Sequence, residues 1–518
     1  MKVRLLYPGH DFDPEQKLPW QGQALEQDLG LDTLWRSMSG GDPFIFDVAR
    51  KVLLSGQTTD LETVAYRQEL VNDCLRNPAV VRQLYDLTVE AIDKKKKKFY
   101  FGFFSRFPGG ILQDAIEVMG TFMASLKSLR ALAEAHAGEF TSRGFSAFFS
   151  RLREDLSDAF FAEVQVHLSE LRFDRGVLVS AALGQGNAGT ACVLRSAREE
   201  RLSWLARIFG KGPPAYTYHV PERDESGSRA LAGLRDRGIN LVANALAQST
   251  DHILDFFDML RTELAFYIGC LNLYDELTGL GVRTCLPRPT APGTRKLRFS
   301  GLSDPSLGLV SRRSVVPNDL NADGKSLIIV TGANQGGKTT FLRSVGLAQL
   351  MMQGGLFVAA EIFEAELCAG LFTHFRREED VTMTRGKLDA ELDRMSEIVD
   401  ALRQDALLLF NESFSGTNER EGSEIAGQIV RALLESRMKV AFVTHLYEFA
   451  HDVVEGAFGN AIFLRAERRS DGTRTFRIVE GEPQKTSYGE DLYRRVFGGA
   501  TEGRGMAEVP ADDLERSS

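Results

Sequence analysis

Apolar residues recur at steps of three and four through much of the first half of the chain. Ile111, Ala115, Val118, Met119, Phe122, Leu126 and Leu129 mark one buried face of a long amphipathic helix. Leu241, Ala245, Ile253, Phe257, Leu260, Leu264 and Tyr267 mark another, inside a helical stretch from Ala230 to Leu280. Between them the period changes. From Phe173 to Arg195 two β-favouring runs flank a turn with Gly184, Gly186 and Gly189, which predicts a hairpin. In the second half, Ser326 to Val330, Ala406 to Ser413 and the run from Lys439 are short and continuously apolar, as buried parallel strands are, with helix-period segments between them. Cys285 to Lys296 holds three prolines and a glycine, which disfavour helix and strand alike, and is the expected boundary between the halves. The expected organisation is an N-terminal arm over residues 1–43, a mainly α-helical region over 44–285 with the hairpin near 173–195, an α/β domain over 286–500, and a polar, disordered tail over 501–518.

The strand Ser326 to Val330 leads into TGANQGGKTTFLRS. Gly332, Gly337, Lys338 and Thr339 fill the G-x-x-x-x-G-K-[ST] spacing, Ala333, Asn334, Gln335 and Gly336 lie between, and Thr340 follows. In this phosphate-binding loop backbone amides cradle phosphates, the lysine reaches the β and γ oxygens, and the hydroxyl ligates Mg²⁺. Apolar residues at helical spacing from Phe341 place the loop at a helix N-terminus, whose dipole favours anions. Strand, loop and helix agree, so the pattern reads as an ATP-binding P-loop rather than as a glycine-rich turn. Ala406 to Ser413 ends in polar residues, as a Walker B strand does, with Glu412 where a glutamate polarises the attacking water and Asn411 where an aspartate usually supports Mg²⁺. The strand from Lys439 ends at Thr444 and His445, where a histidine can sense a γ-phosphate.

A length of 518 residues predicts about three or four domains. Five scattered cysteines without C-x-x-C spacing suggest neither a disulfide framework nor a zinc site, which favours a reducing, cytoplasmic setting. The first residues lack the apolar core of a signal peptide, and the longest uncharged apolar stretch, Val345 to Ala360, is interrupted by Gln349, Gln353 and glycines, so no membrane span is expected. A net charge of −9 argues against a protein coated in positive potential but leaves room for a local basic groove, so charge alone does not decide the partner.

Taken together, the P-loop sequence, FNESFSGTNEREGSE from Phe410 to Glu424, FVTHLYEFA from Phe442 to Ala450 and TSYG from Thr486 to Gly489 resemble the ATPase domain of MutS proteins. VVPND, Val315 to Asp319, resembles the family's nucleotide-binding stretch and contributes Asn318, and DLETVAYRQEL, Asp60 to Leu70, resembles its helical core domain. The resemblance implies a C-terminal P-loop ATPase domain of ABC type preceded by a helical core and lever region. It also implies a homodimer with composite ATP sites, ATP and Mg²⁺ as cofactors, and duplex or branched DNA as partner, placing the chain in the cytoplasm or at the nucleoid.

The chain also departs from the family pattern. Mismatch-reading members carry an N-terminal domain with a Phe-x-Glu motif; the arm is too short for it, and Phe161 and Glu163 fall inside a helical segment. No nuclease-type tail is expected after the ATPase domain. Asn411 removes a charge near Mg²⁺ while Thr339 and Glu412 remain. In VTMTRGKLDAEL, Val381 to Leu392, the signature serine is replaced by Gly386, with Lys387 beside it to meet the partner's ATP in trans. The family's adenine-stacking aromatic falls at Val315, and Arg477 sits where another base contact belongs, since a guanidinium can stack on adenine.

Lys94, Lys95, Lys96, Lys97 and Lys98 are followed by six aromatics up to Phe107. Such a run can track a nucleic-acid backbone, lie on an anionic membrane, or be a solvated patch whose aromatics enter the core. The sequence reading is therefore an ATP-driven DNA-binding switch in repair or recombination. Its alternatives are a mechanochemical ATPase acting on a protein or ribonucleoprotein, and an ATP-gated binding module with very slow hydrolysis. The DNA structure bound and the downstream partner are left open.

Overall fold

The computed structural model describes residues 1–101, 107–174, 176–187, 189–195, 217–221, 223–377, 386–457, 460–469 and 473–483; the side chains of residues 97–101, 187, 455 and 457 are not described. The chain divides into two compact units: Met1–Gln16, Asp42–Ala49 and Ala65–Leu271 form one, and Lys17–Gly41, Arg50–Val64 and Asn272–Ser518 form the other. The residues expected as a single N-terminal arm are thus divided between the units, and the chain crosses from one unit to the other at Leu271 rather than at Cys285. The tail expected over 501–518 lies outside the described residues.

The first unit is mainly helical. Pro108–His136 covers the predicted 111–129 periodicity, and the helix Glu225–Gly279, whose residues to Leu271 belong to this unit, covers the second predicted stretch. An aromatic cluster fills its interior: Phe140, Phe145 and Phe149 have ring centroids 4.7–5.8 Å apart, and Tyr267 packs 6.3 Å from Phe145. The N-terminal segment is pinned onto this core. Glu263, fully buried, accepts the backbone N–H groups of Leu5 at 2.5 Å and Phe12 at 2.7 Å, and Tyr267 Oη donates to the Leu5 carbonyl at 2.5 Å. The predicted hairpin is present as β1 (Leu178–Leu183) and β2 (Gly189–Arg195), paired antiparallel.

The second unit carries two sheets. The four-stranded sheet contains β3 (Arg288–Thr290), β4 (Leu297–Leu302), β5 (Asn318–Asn321) and β7 (Ile362–Glu366) in the order β3-β7-β4-β5. The six-stranded sheet contains β6 (Leu327–Thr331), β8 (Leu371–Phe375), β9 (Leu407–Asn411), β10 (Lys439–Val443), β11 (Ala461–Arg468) and β12 (Arg474–Glu480). Its order is β12-β11-β6-β10-β9-β8, all parallel except β12. The central strands β6 and β10 are buried throughout and β9 up to Phe410, which is why they read as continuous apolar runs. Because β6, β9 and β10 run the same way, their C-terminal ends fall on one edge, where ligands of open parallel sheets bind.

The proline-rich boundary segment does contain a strand, contrary to the sequence expectation. Pro289 lies in β3 at the sheet's edge, where its missing N–H leaves no gap in a ladder.

Candidate functional site at the P-loop

The P-loop follows β6 and opens the helix Lys338–Gln353. Its glycines are required by close approach. Gly332 has φ +116, and a Cβ there would lie 3.0 Å from the Ala466 backbone; at Gly336 a Cβ would come within 2.8 Å of the Ala466 side chain and 2.9 Å of the Ala333 carbonyl. Gly337 has φ +96 and leaves only 3.2 Å between such an atom and the Phe476 carbonyl. The loop is therefore seated against β11 and β12, and Arg474 Nη1 donates to Gln335 Oε1 at 2.7 Å. Gly337 caps the helix without a side-chain hydrogen bond, leaving the first backbone N–H groups for an anion. Asn334 and Gln335 are exposed, and Thr340 is half-buried.

Lys338 is buried, and its Nζ donates to the Gly332 carbonyl at 2.9 Å and the Ala333 carbonyl at 3.1 Å. Burial pulls its pKa down to about 8, opposed by the Glu412 charge. His445 Nε2 lies 3.0 Å from Glu412 Oε1 and 3.3 Å from Lys338 Nζ. One ring nitrogen cannot donate to the carboxylate and accept from the ammonium together. The shorter contact and the two carbonyl acceptors of Lys338 assign the proton to Nε2, donating to Glu412. That hydrogen bond is the first cause holding the Glu412 carboxyl below its ordinary value, and the charges of His445, Lys338 and Arg376 act the same way. Glu412 itself has φ +55, a conformation that non-glycine residues rarely adopt. Thr339 Oγ1 donates to Asn411 Oδ1 at 3.0 Å, which brings the two residues expected at the metal together.

These features fit a bound Mg²⁺–nucleotide: a loop that no side chain could enlarge, free amides at a helix start, a buried cation, and a hydroxyl beside an amide oxygen. The structure thus brings together Gly332 to Thr340, Asn411, Glu412 and His445 on one sheet edge.

Asn318 is buried in β5, and its Oδ1 accepts the Ile478 N–H at 2.7 Å. With Arg477 it lines a cavity of about 880 Å³ that no P-loop residue lines. Arg288, Arg298 and Arg477 there face Asp319, Glu361, Glu364 and Glu480, a balance that disfavours a polyphosphate but tolerates a neutral base. Phe476, whose carbonyl would crowd a side chain at Gly337, precedes Arg477 in the chain.

Lys387 opens the helix Lys387–Ala401 after Gly386, while Val381 to Arg385 of the signature-like segment lie outside the described residues, as does TSYG. Lys387 shares a cavity of about 350 Å³ with Arg376, Arg377 and Arg394. Residues that sequence reasoning missed include Arg474, His374, Ser413 and Glu391. For Ser413 the signal was its place directly after Glu412, and for Glu391 its place one helical turn after Lys387.

The lysine run lies in the first unit. Lys94 pairs with Glu90 at 2.8 Å and Lys95 with Asp251 at 3.0 Å, and Lys96 is exposed. Lys97 and Lys98 have side chains outside the description. Phe161 is buried in the helix Asp158–Leu171 under the Lys127 ammonium, 5.2 Å from its ring centroid, so it serves the core, while Glu163 is exposed. Among the described residues no helix is long and apolar enough to cross a membrane.

Comparison with known proteins bears on both halves. The MutS2 N-terminal domain family matches residues 59–280, and MutS domain V matches residues 328–496. Among curated proteins, the chain is 31% identical over 235 residues to the DNA mismatch repair protein MutS of Methanothrix thermoacetophila, covering 45% of this chain and 27% of that protein. It is 28% identical over 256 residues to MutS of Thermus thermophilus, covering 49% and 29%, and 32% identical over 209 residues to MutS of Thermotoga neapolitana, covering 40% and 25%. The aligned part thus spans only 25–29% of the length of these relatives. With a MutS2-type N-terminal domain followed by a MutS domain V along one chain, the protein belongs to the MutS family.

Proposed function

We propose that this protein is a Mg²⁺-dependent ATPase that works as a homodimer and couples its nucleotide state to DNA binding in repair or recombination. The observation that carries the reading is the contact of His445 Nε2 with Glu412, with Lys338 beside it, at the ends of parallel strands next to the P-loop. Lys338 and the amides of Gly336 and Gly337 hold phosphates, Thr339 ligates Mg²⁺ with Asn411 behind it, and Asn318 and Arg477 face the base. A bound metal–nucleotide supplies a polarised γ-phosphate. Glu412, ionised and turned into place by its φ, takes a proton from the attacking water, and His445 reports the phosphate through its hydrogen bond to that same carboxylate.

One observation favours a second reading, an ATP-gated module with very slow hydrolysis. Asn411 places a neutral oxygen where a carboxylate would add charge beside Thr339. Single-turnover ATP hydrolysis separates the two. Wild type should turn over with measurable chemistry, and Glu412→Gln should keep ATP binding while slowing hydrolysis by about 10²- to 10⁴-fold. Equal rates in wild type and variant would remove Glu412 from the chemistry.

The DNA part rests on the family relationship, and a mechanochemical ATPase acting on a protein or ribonucleoprotein is its competitor. Binding to duplex DNA that weakens steeply with added salt supports the first. Because Lys94 and Lys95 are already paired with carboxylates, neutralising those two should leave the salt slope unchanged. A slope reduced by about two would return this run to the DNA interface.

A further inference from the structure

The strand β9 leaves the sheet through Asn411 into a turn whose backbone is unusual at two positions, Glu412 with φ +55 and Phe414 with φ +62. Neither residue favours that conformation, so something must hold the turn. At Glu412 the backbone N–H donates to the Val443 carbonyl at 2.8 Å and the carbonyl accepts from Ser415 Oγ at 2.7 Å, while at Ser413 and Phe414 side-chain contacts come from the helix Lys387–Ala401 and the strand end beneath it. Glu391 Oε2 accepts the Phe414 N–H at 2.7 Å. His374, at the end of β8, donates from Nε2 to the Glu391 carbonyl at 3.0 Å, which leaves its Nδ1 as an acceptor facing the Ser413 hydroxyl at 2.7 Å. That hydroxyl also lies 2.5 Å from the His374 carbonyl, so its one proton is shared between two acceptors. Ser413, His374 and Phe414 are at most 1% exposed and Glu391 is 9% exposed, so water does not compete for these bonds. One helical turn on, Arg394 Nη2 donates to the Phe375 carbonyl at 2.7 Å, and Phe375 is the residue of β8 paired with Asn411.

Lys387, Glu391 and Arg394 share one face of the helix at steps of four and three. The helix start also touches the turn's far side, where a Cβ at Gly416 would lie 3.1 Å from that of Lys387.

We propose that Glu391 is a positioning residue for hydrolysis: its carboxylate through the Phe414 N–H, and its backbone carbonyl through the His374–Ser413 pair, fix the turn that aims Glu412, and so make that aim depend on where the helix bearing Lys387 sits. This rests on the reading of Glu412 as the residue that activates water. Burial lowers the His374 pKa to about 3, which keeps the ring neutral and its Nδ1 an acceptor at every working pH. The consequence is a coupling, through the turn, between the helix that begins at Lys387 and the Glu412 carboxylate.

The test is steady-state and single-turnover ATP hydrolysis with the full chain, alongside ATP binding. Glu391→Ala should lower kcat by about 10²-fold, the scale of a misplaced catalytic group, with the ATP Kd within about threefold of wild type. Glu391→Gln keeps an oxygen that can accept the Phe414 N–H and should recover kcat to within about tenfold. Ser413→Ala changes little volume and guards against a Glu391→Ala protein that does not fold; it too should lower kcat while leaving Kd unchanged. A wild-type kcat in Glu391→Ala or in Ser413→Ala overturns the proposal, as does a loss of ATP binding equal to the loss of rate. Glu412→Gln, run in parallel, separates the two failures. If it is inactive while Glu391→Ala is not, only the positioning role falls; if it hydrolyses ATP like wild type, both fall.

Discussion

Lys338 occupies a place that costs an ammonium much of its hydration, with two loop carbonyls accepting its hydrogen bonds. Burial lowers its pKa from 10.5 to about 8, so near pH 8 the empty site holds a partly charged lysine. A phosphate favours the charged form. Between about pH 8 and the ordinary lysine value, nucleotide binding must therefore take up a proton, and affinity must fall as pH rises. Titration calorimetry of a non-hydrolysable ATP analogue at about pH 9, in buffers of different ionisation enthalpy, should reveal uptake approaching one proton. The Kd should weaken by at most about tenfold per pH unit above pH 8. Constant affinity up to pH 9.5 without proton uptake would mean that the ammonium stays charged in the empty loop.

At the scale of elements, the catalytic turn is squeezed between two helices. Lys387–Ala401 grips it by hydrogen bonds, and Glu419–Glu435 meets it through Gly422, where a Cβ would come 2.4 Å from the Phe414 carbonyl oxygen. That neighbour is backbone in a constrained turn, so it cannot swing aside as a side chain would. Gly422→Ala gains up to about 1 kcal/mol of helix propensity but overpacks by about 1–3 kcal/mol. A net loss of roughly 1–2 kcal/mol should appear as a lower midpoint in denaturant unfolding, with a fall in kcat because the displaced atom belongs to the turn that aims Glu412. A variant as stable and active as wild type would show that the turn yields freely.

This same region shows what the chain's pattern could and could not reveal. The P-loop was legible because its chemistry is local: glycine spacing, a lysine and a hydroxyl encode a backbone shape within eight positions. β6, β9 and β10 were legible because a strand buried on both faces is continuously apolar. The network of His374, Glu391 and Ser413 was not, since its members lie 17 and 39 residues apart and meet only through sheet register and helix docking. The four-stranded sheet escaped for another reason. Its strands are short and carry charges such as Arg288, Arg298 and Glu364, which satisfy one another at 2.7–3.1 Å and give no apolar signal.

For the whole molecule, the central question is whether one protomer's site is complete. Lys338 and Glu412 come from the same edge of one sheet, whereas Lys387 lies at the start of a separate helix, Lys387–Ala401. In the homodimer we propose, Lys387 meets the nucleotide of the other protomer. Lys338→Ala and Lys387→Ala homodimers then each have two broken sites. A heterodimer of the two has one site lacking both lysines and one site with both intact. Free exchange of equal amounts gives heterodimers in half of the molecules, each with one of two sites working, so the mixture should regain roughly a quarter of wild-type activity. ATPase rates measured before and after mixing, with heterodimers verified by differently tagged protomers, test this directly. Recovery near that fraction requires catalysis in trans, and none despite confirmed heterodimers would place Lys387 outside the composite site.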